Sequence, residues 1–209
     1  MNDAPGNRLA AEGLACERGG RTLFTGLDFA VPAGGALVLA GPNGSGKTSL
    51  LRIIAGLLEA AAGRLVWDGV GFDDDAEGYR ARIAFVGHLD AVKPGLTVAE
   101  NLAFWAGLYG GGRDVAAALE SLGIGHLAGV PARFLSAGQR RRLALARIAA
   151  LPAPLWLLDE PTVTLDEQSI RAVEALIAGH RAAGGAVVVA THSGIALPGA
   201  PTLRLGDAP

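Results

Sequence analysis

The residues Gly41-Pro42-Asn43-Gly44-Ser45-Gly46-Lys47-Thr48, with Ser49 behind them, match the pattern G-x-x-x-x-G-K-[ST]. The chemistry of that pattern is phosphate capture. Its glycines let successive backbone N–H groups curl around an anion, and a helix starting behind the loop adds the positive end of its dipole. The Lys47 ammonium is placed to reach the β- and γ-phosphates of a nucleotide. The Thr48 hydroxyl offers Mg²⁺ the hard oxygen ligand it needs. A glycine-rich turn would account for the glycines alone, so the reading depends on a strand before the loop and a helix after it.

A second group lies far along the chain. Leu155-Trp156-Leu157-Leu158 is an apolar run that ends in Asp159-Glu160. In an open α/β sheet, ligands bind beyond the carboxyl ends of the strands, so Asp159 at the end of a strand here would face the same crevice as the phosphate loop. Asp159 can hold Mg²⁺, chiefly through water, and Glu160 can polarise an attacking water as general base. Without the loop, the same pair reads as an acidic helix cap after a core strand.

The elements that must position these groups follow from pattern. Leu9 to Cys16 and Thr22 to Val31 read as strands around a Gly19-Gly20 turn. Ala36 to Ala40 is all apolar, as a strand buried on both faces should be. Leu50, Ile53, Ile54, Leu57 and Leu58 recur at helical spacing just after the loop. Gly63 to Asp68, Ile83 to Val86, Leu155 to Leu158 and Ala186 to Ala190 read as further strands, with a helix over Ile170 to Ala183. Such alternation predicts a parallel sheet with crossover helices. From Thr97 to Leu151 the pattern becomes mostly helical. Thr97 with Glu100 suits a capping box, Gly110 to Gly112 interrupt, Val115 to Leu122 resumes, and Ser136 opens a last helix. The expected organisation is a single domain over 1–209, with an α/β core from 1–96 and 152–209 and an inserted helical lobe over 97–151.

Composition sets the outer limits. The chain has 209 residues, half of them hydrophobic, which excludes a disordered chain. With 18 Lys plus Arg against 20 Asp plus Glu, the net charge is −2. That offers no basic field, so nucleic acid is not expected as the main partner. One cysteine, Cys16, allows neither an internal disulfide nor a cysteine zinc cluster and suits a reducing compartment. The first residues lack the apolar core of a signal peptide, and no apolar run approaches the ~20 residues of a membrane span.

Leu135-Ser136-Ala137-Gly138-Gln139 resembles the signature motif, usually L-S-G-G-Q, of ATP-binding cassette (ABC) ATPases. Pro161 to Asp166 resembles their D-loop, and Thr191-His192 their switch histidine. The order is that of the family and the likeness covers nearly the whole chain. It implies a P-loop NTPase of the ABC type: a mostly parallel α/β core, an N-terminal antiparallel β region and an inserted helical subdomain. It also implies ATP and Mg²⁺ as cofactors, with His192 on the γ-phosphate and the attacking water. Two copies pack head to tail in the family, so that Ser136, Gly138 and Gln139 of one, with Asp166, close on the ATP of the other. The N–H groups of Ser136 and Gly138, at a helix N-terminus, would be the anion donors. The run Arg140-Arg141-Arg142 reads as solvated helix surface, and His126 and His180 as structural histidines.

Two positions depart from the family pattern. Arg18 falls where relatives carry the aromatic residue that stacks on adenine; a guanidinium can also stack on a base. His88 falls where relatives carry a glutamine that contacts Mg²⁺ and the membrane partner. Gly87-His88 with Lys93, Cys16-Glu17-Arg18 with Arg21 to Phe24, and Leu135 to Arg147 resemble the branch that serves cytochrome c maturation. That resemblance implies a peripheral subunit on the cytoplasmic face of a bacterial inner membrane, working with integral membrane subunits. The alternatives are the ATPase of another transporter and a nucleotide sensor without turnover. A soluble repair or translation ATPase, with its long insertion or second cassette, does not fit 209 residues.

Overall fold

The computed structural model describes residues 7–110, 114–192 and 194–206. The chain opens with a long hairpin, β1 (Asn7–Arg18) and β2 (Arg21–Pro32), turning on Gly19 and Gly20, both at positive φ. Both strands run past the expected ends, because Glu17 pairs with Thr22 and Arg18 with Arg21 right up to the turn. Strands β4 (Ala62–Trp67) and β5 (Val70–Gly71) join the hairpin in an antiparallel sheet of order β2-β1-β4-β5.

The second sheet is parallel. It contains β3 (Ala36–Ala40), β6 (Ile83–Val86), β7 (Leu155–Asp159), β8 (Ala186–Ala190) and β9 (Thr202–Arg204), in the order β6-β7-β8-β3-β9. Every residue of β7 and β8 is buried. Leu155, Leu157 and Val188 face a core shared with Leu14, Leu50 and Ile54. Trp156, Leu158 and Val189 face a second core with Leu145, Ile148 and Ile177. Strands covered on both faces must be apolar throughout, which is why these runs show no alternation.

Helix α1 (Lys47–Ile54) follows β3 through the phosphate loop. It ends before Leu57 and Leu58, although their spacing continues its apolar pattern. Gly56 turns left-handed at φ 65, and the Leu57 N–H donates back to the Arg52 carbonyl at 2.8 Å, a Schellman closure. Leu57 is left exposed. The short α2 (Ala76–Ala81), capped by Asp75, and the edge pieces β5 and β9 carry no pattern long enough to be read from sequence.

The helical lobe holds α3 (Val98–Leu108), α4 (Val115–Ser121) and α5 (Ala137–Ala150), with two 3-10 turns between α4 and α5. Helix α6 (Glu167–Ala182) returns the chain to the core and starts earlier than expected, because Asp166 caps it. The lobe is fastened to β6, the edge strand. Carbonyls on the outer edge of that strand have no neighbouring strand, and a buried C=O requires a partner. Tyr109 Oη donates to the Ile83 carbonyl at 3.1 Å, Arg147 Nη2 to Phe85 at 2.7 Å and Arg141 Nη1 to Gly87, just past the strand, at 2.9 Å. Arg147 also lies 4.4 Å over the Trp105 ring.

The chain enters the lobe at a complete capping box. Thr97 Oγ1 accepts from the Glu100 N–H, and Glu100 Oε2 accepts from the Thr97 N–H at 2.8 Å and the Thr97 hydroxyl at 2.9 Å. These bonds hold the Glu100 carboxyl below the usual carboxylate range. Thr97→Ala is expected to cost about 1 kcal/mol, read as a fall of roughly 2–4 °C in Tm for a chain of this size. A carboxyl depressed in the folded state stabilises above its unfolded ionisation and ceases to do so as pH falls through the folded value. The Thr97→Ala penalty should therefore shrink in thermal melts taken below the ordinary carboxylate range.

Candidate active site

The phosphate loop spans the gap between β3 and α1. Gly41, at φ 146, lies against the Leu205 carbonyl so closely that a Cβ would collide with it. Gly46, at φ 99, is the N-cap of α1 and supplies no side-chain cap, so the first N–H groups of the helix stay available to an anion. Lys47 is buried, and its Nζ donates to the carbonyls of Gly41 at 2.7 Å and Pro42 at 3.0 Å. Ser45 Oγ is buried with no hydrogen-bond partner among the described residues. An orphaned hydroxyl and unused helix-end donors suit a phosphate.

Thr48 Oγ1 donates to Asp159 Oδ2 at 2.9 Å, across 111 residues of sequence. The phosphate loop and the end of β7 therefore meet, and they present a hydroxyl and a carboxylate side by side. Hard oxygens of this kind fit Mg²⁺ rather than a softer metal.

Glu160 follows at the tip of β7 in a left-handed backbone conformation, φ 48, uncommon outside glycine. Its N–H donates to the Ala190 carbonyl at 2.8 Å, which continues the β7–β8 ladder by one step. The carboxylate turns toward the chain leaving β8. Its Oε1 lies 2.8 Å from His192 Nδ1, and its Oε2 accepts from the Thr191 hydroxyl and the His192 N–H, each at 3.3 Å. The His192 side chain is 61% exposed, which leaves much of the ring accessible from the cleft.

Gly46, Lys47, Thr48, Asp159, Glu160 and His192 line one cleft of about 650 Å³, together with Arg18 and His88. Arg18 reaches it from the end of β1, directly opposite Arg21 in the hairpin. Like charges facing each other across strands are unfavourable, which leaves this corner receptive to an anion or a π face. His88 is exposed at the bend after β6 and also lines a second groove of about 560 Å³ between core and lobe, with Leu57, Leu89 and Trp105.

Ser136, Gly138, Gln139 and Asp166 are not among the residues that line the cleft. The Ser136 N–H is not the open anion donor that the sequence suggests, because it donates to Gln139 Oε1 at 2.8 Å while Ser136 Oγ accepts from the Gln139 N–H. The two residues form a capping box, and the donors left at the start of α5 are those of Ala137 and Gly138. Asp166 Oδ1 accepts from the Ser169 N–H at 2.8 Å as the cap of α6, and Ser169 holds its carboxyl below the usual range. His180 stacks flat on Trp156, ring centroids 3.7 Å apart, a structural role as expected.

Within the arginine run, Arg141 is not solvated surface, whereas Arg140 and Arg142 stay partly exposed. Arg141 is 5% exposed and reaches back to the end of β7. It falls on the same helical face as Ala144 and Ile148, both buried. A cation on an apolar stripe is the signal that would have marked it.

A phosphate loop, a hydroxyl–carboxylate pair and a Glu–His contact at adjacent strand ends, beside a helical lobe carrying Leu135 to Gln139, define an ATP-hydrolysing cassette. The family model described as ABC transporter matches residues 24–163, and the chain belongs to that family. Among its curated relatives is the "Cytochrome c biogenesis ATP-binding export protein CcmA" of Paramagnetospirillum magneticum, 56% identical over 202 residues, spanning 94% of this chain and 93% of the relative. The protein of the same name from Rhodospirillum rubrum is 57% identical over 198 residues, spanning 94% and 85%. Among solved structures, an ABC transporter ATP-binding protein from Pyrococcus furiosus superposes with a TM-score of 0.82 at 26% identity, covering 95% of this chain and 97% of that one. A dimeric ATP-binding cassette in a post-hydrolysis state with ADP and Pi gives 0.77 at 25% identity, covering 88% of each chain.

Lys47→Ala is expected to weaken Mg-ATP binding by about 10- to 100-fold, since a hydrogen bond to a charged group is worth ~1.5–3 kcal/mol. Titration with a fluorescent nucleotide measures it, and unchanged affinity would remove Lys47 from the site.

Proposed function

We propose that this chain is the ATP-hydrolysing, energy-coupling subunit of a cytochrome c biogenesis export complex in a bacterial inner membrane. The Glu160–His192 contact beside the phosphate loop carries the ATPase part. The names borne by relatives 56–57% identical over nearly the whole chain support the particular system.

In this reading the loop N–H groups and Lys47 hold the β- and γ-phosphates. Thr48 and, through water, Asp159 are the residues that would hold Mg²⁺, whose chemistry is to neutralise charge on the phosphate oxygens. Glu160 accepts a proton from the attacking water. The water oxygen forms its bond to the γ-phosphorus as the bond to the bridging β-oxygen breaks, giving ADP and phosphate. His192, held by Glu160 through Nδ1, orients the water and the γ-phosphate with the rest of its ring. Arg18 stacks on adenine.

The start of α5 lies outside the cleft, so its Ala137 and Gly138 donors need a second copy to reach a nucleotide. A head-to-tail dimer that forms with ATP meets that need twice with one contact. The dimeric cassette with ADP and Pi at 25% identity supports this arrangement. Among the described residues no helix is long and apolar enough to cross a membrane. Membrane attachment is therefore assigned to integral partner subunits, with the chain peripheral on the cytoplasmic face. The groove beside His88, with exposed Leu57 and Leu89 at its rim, is the proposed seat of that partner.

Glu160→Gln is expected to bind Mg-ATP with near-normal affinity and to hydrolyse it about 10²–10⁴-fold more slowly. The trapped nucleotide should shift the chain to a dimer in light scattering. Near-normal turnover would assign the base elsewhere. His88→Ala should keep ATP affinity but lose most of the stimulation of hydrolysis by the membrane subunits it co-purifies with, and His88→Gln should recover it. Full stimulation in His88→Ala would remove His88 from the coupling path.

A further inference from the structure

Five acceptors surround the buried guanidinium of Arg141. Nη2 donates to the carbonyls of Asp159 at 2.6 Å and Glu160 at 2.9 Å, and Nε to that of Pro161 at 3.4 Å. Nη1 donates to the Gly87 carbonyl at 2.9 Å and to Asp90 Oδ1 at 3.1 Å. Three consecutive carbonyls, from the last residue of β7 onward, are thus gathered on one rigid fork, where β6 has already ended at Val86. The planar five-donor guanidinium suits such a cluster, and an ammonium does not reproduce its geometry.

The carbonyls it gathers are those of the residues that carry the chemistry. Glu160 sits at φ 48, a conformation that needs the surroundings to hold it. Gly87 immediately precedes His88. Arg141 itself stands two residues past Gln139, on the helix that the Ser136–Gln139 box begins. One side chain therefore joins the start of α5, the loop from Gly87 to Asp90, and the Glu160 backbone.

We propose that Arg141 is a positioning residue for hydrolysis: its fork on the Asp159, Glu160 and Gly87 carbonyls sets the direction of the Glu160 carboxylate and links it to the signature helix and the His88 loop. The proposal rests on the reading of Glu160 as general base. Misplacement of a catalytic group by about 1 Å can cost on the order of 100-fold in rate. Loss of the fork should thus act on hydrolysis while leaving the phosphate loop, and so nucleotide affinity, in place.

The test uses the full chain with Arg141→Lys, Arg141→Ala and Glu160→Gln. Three quantities are measured: Mg-ATP affinity, single-turnover hydrolysis, and the ring resonance of His192, one of four histidines in the chain. Both Arg141 variants are expected to keep ATP affinity within about threefold and to hydrolyse about 10- to 100-fold more slowly. Millimolar guanidinium should restore hydrolysis in Arg141→Ala and leave Glu160→Gln unchanged. The His192 resonance should move in both Arg141 variants toward its position in Glu160→Gln, because the 2.8 Å contact is disturbed. Wild-type hydrolysis in both variants would overturn the proposal. So would joint loss of affinity, hydrolysis and melting temperature with no guanidinium rescue and a stationary His192 resonance, which marks a merely structural cation. Near-normal hydrolysis in Glu160→Gln would instead refute the base assignment, and the resonance would still report whether Arg141 sets the Glu160–His192 contact.

Discussion

The site depends on two central strands ending level with each other. In the parallel register Asp159 faces Ala190, and one further bond carries Glu160 onto the Ala190 carbonyl. This puts the Glu160 backbone beside Thr191 and His192. The register is enforced from both sides, since each strand buries its two faces in different cores. A slip by one residue would exchange Trp156 and Leu157 between those cores and carry the carboxylates out of line with the phosphate loop. Geometry at the nucleotide is thereby inherited from packing well away from it.

A second dependence runs through the sheet edge. β6 has β7 on one side and side chains of the lobe on the other, so the lobe acts in place of a missing strand. Tyr109, Arg147 and Arg141 meet alternate carbonyls, as the two-residue repeat of a strand requires. Burial, and to a smaller degree the neighbouring Arg141 charge, pulls the Arg147 ionisation down, while the Phe85 carbonyl and the Trp105 face receive the cation. Movement of the lobe relative to the core would have to exchange these bonds, which makes the edge of β6 the mechanical joint between them.

Most of this was legible where chemistry or burial imposes a pattern. The phosphate loop, the apolar strands ending in Asp159-Glu160 and the Thr97–Glu100 box all stand in the structure where their residue types place them. The failures have separate physical causes. β5, α2 and β9 are too short for periodicity to rise above composition. Leu57 and Leu58 kept the spacing of α1, but a left-handed Gly56 ended the helix first. Arg141 looked like solvent-facing charge because residue type outweighed its place on an apolar stripe, and its acceptors come from loops remote in sequence. The left-handed Glu160 has no sequence signal at all.

The capping box at the start of α5 has an entropic side. Ser136 and Gln139 hold each other in fixed rotamers within a single molecule. Ordering a mobile side chain at an interface costs about 0.5–1.5 kcal/mol. Two side chains already ordered spare a docking event roughly 1–3 kcal/mol on the same scale. A second molecule would meet a surface set in advance. The association could then be weak enough in its contacts to come apart after each cycle and still form readily at the next.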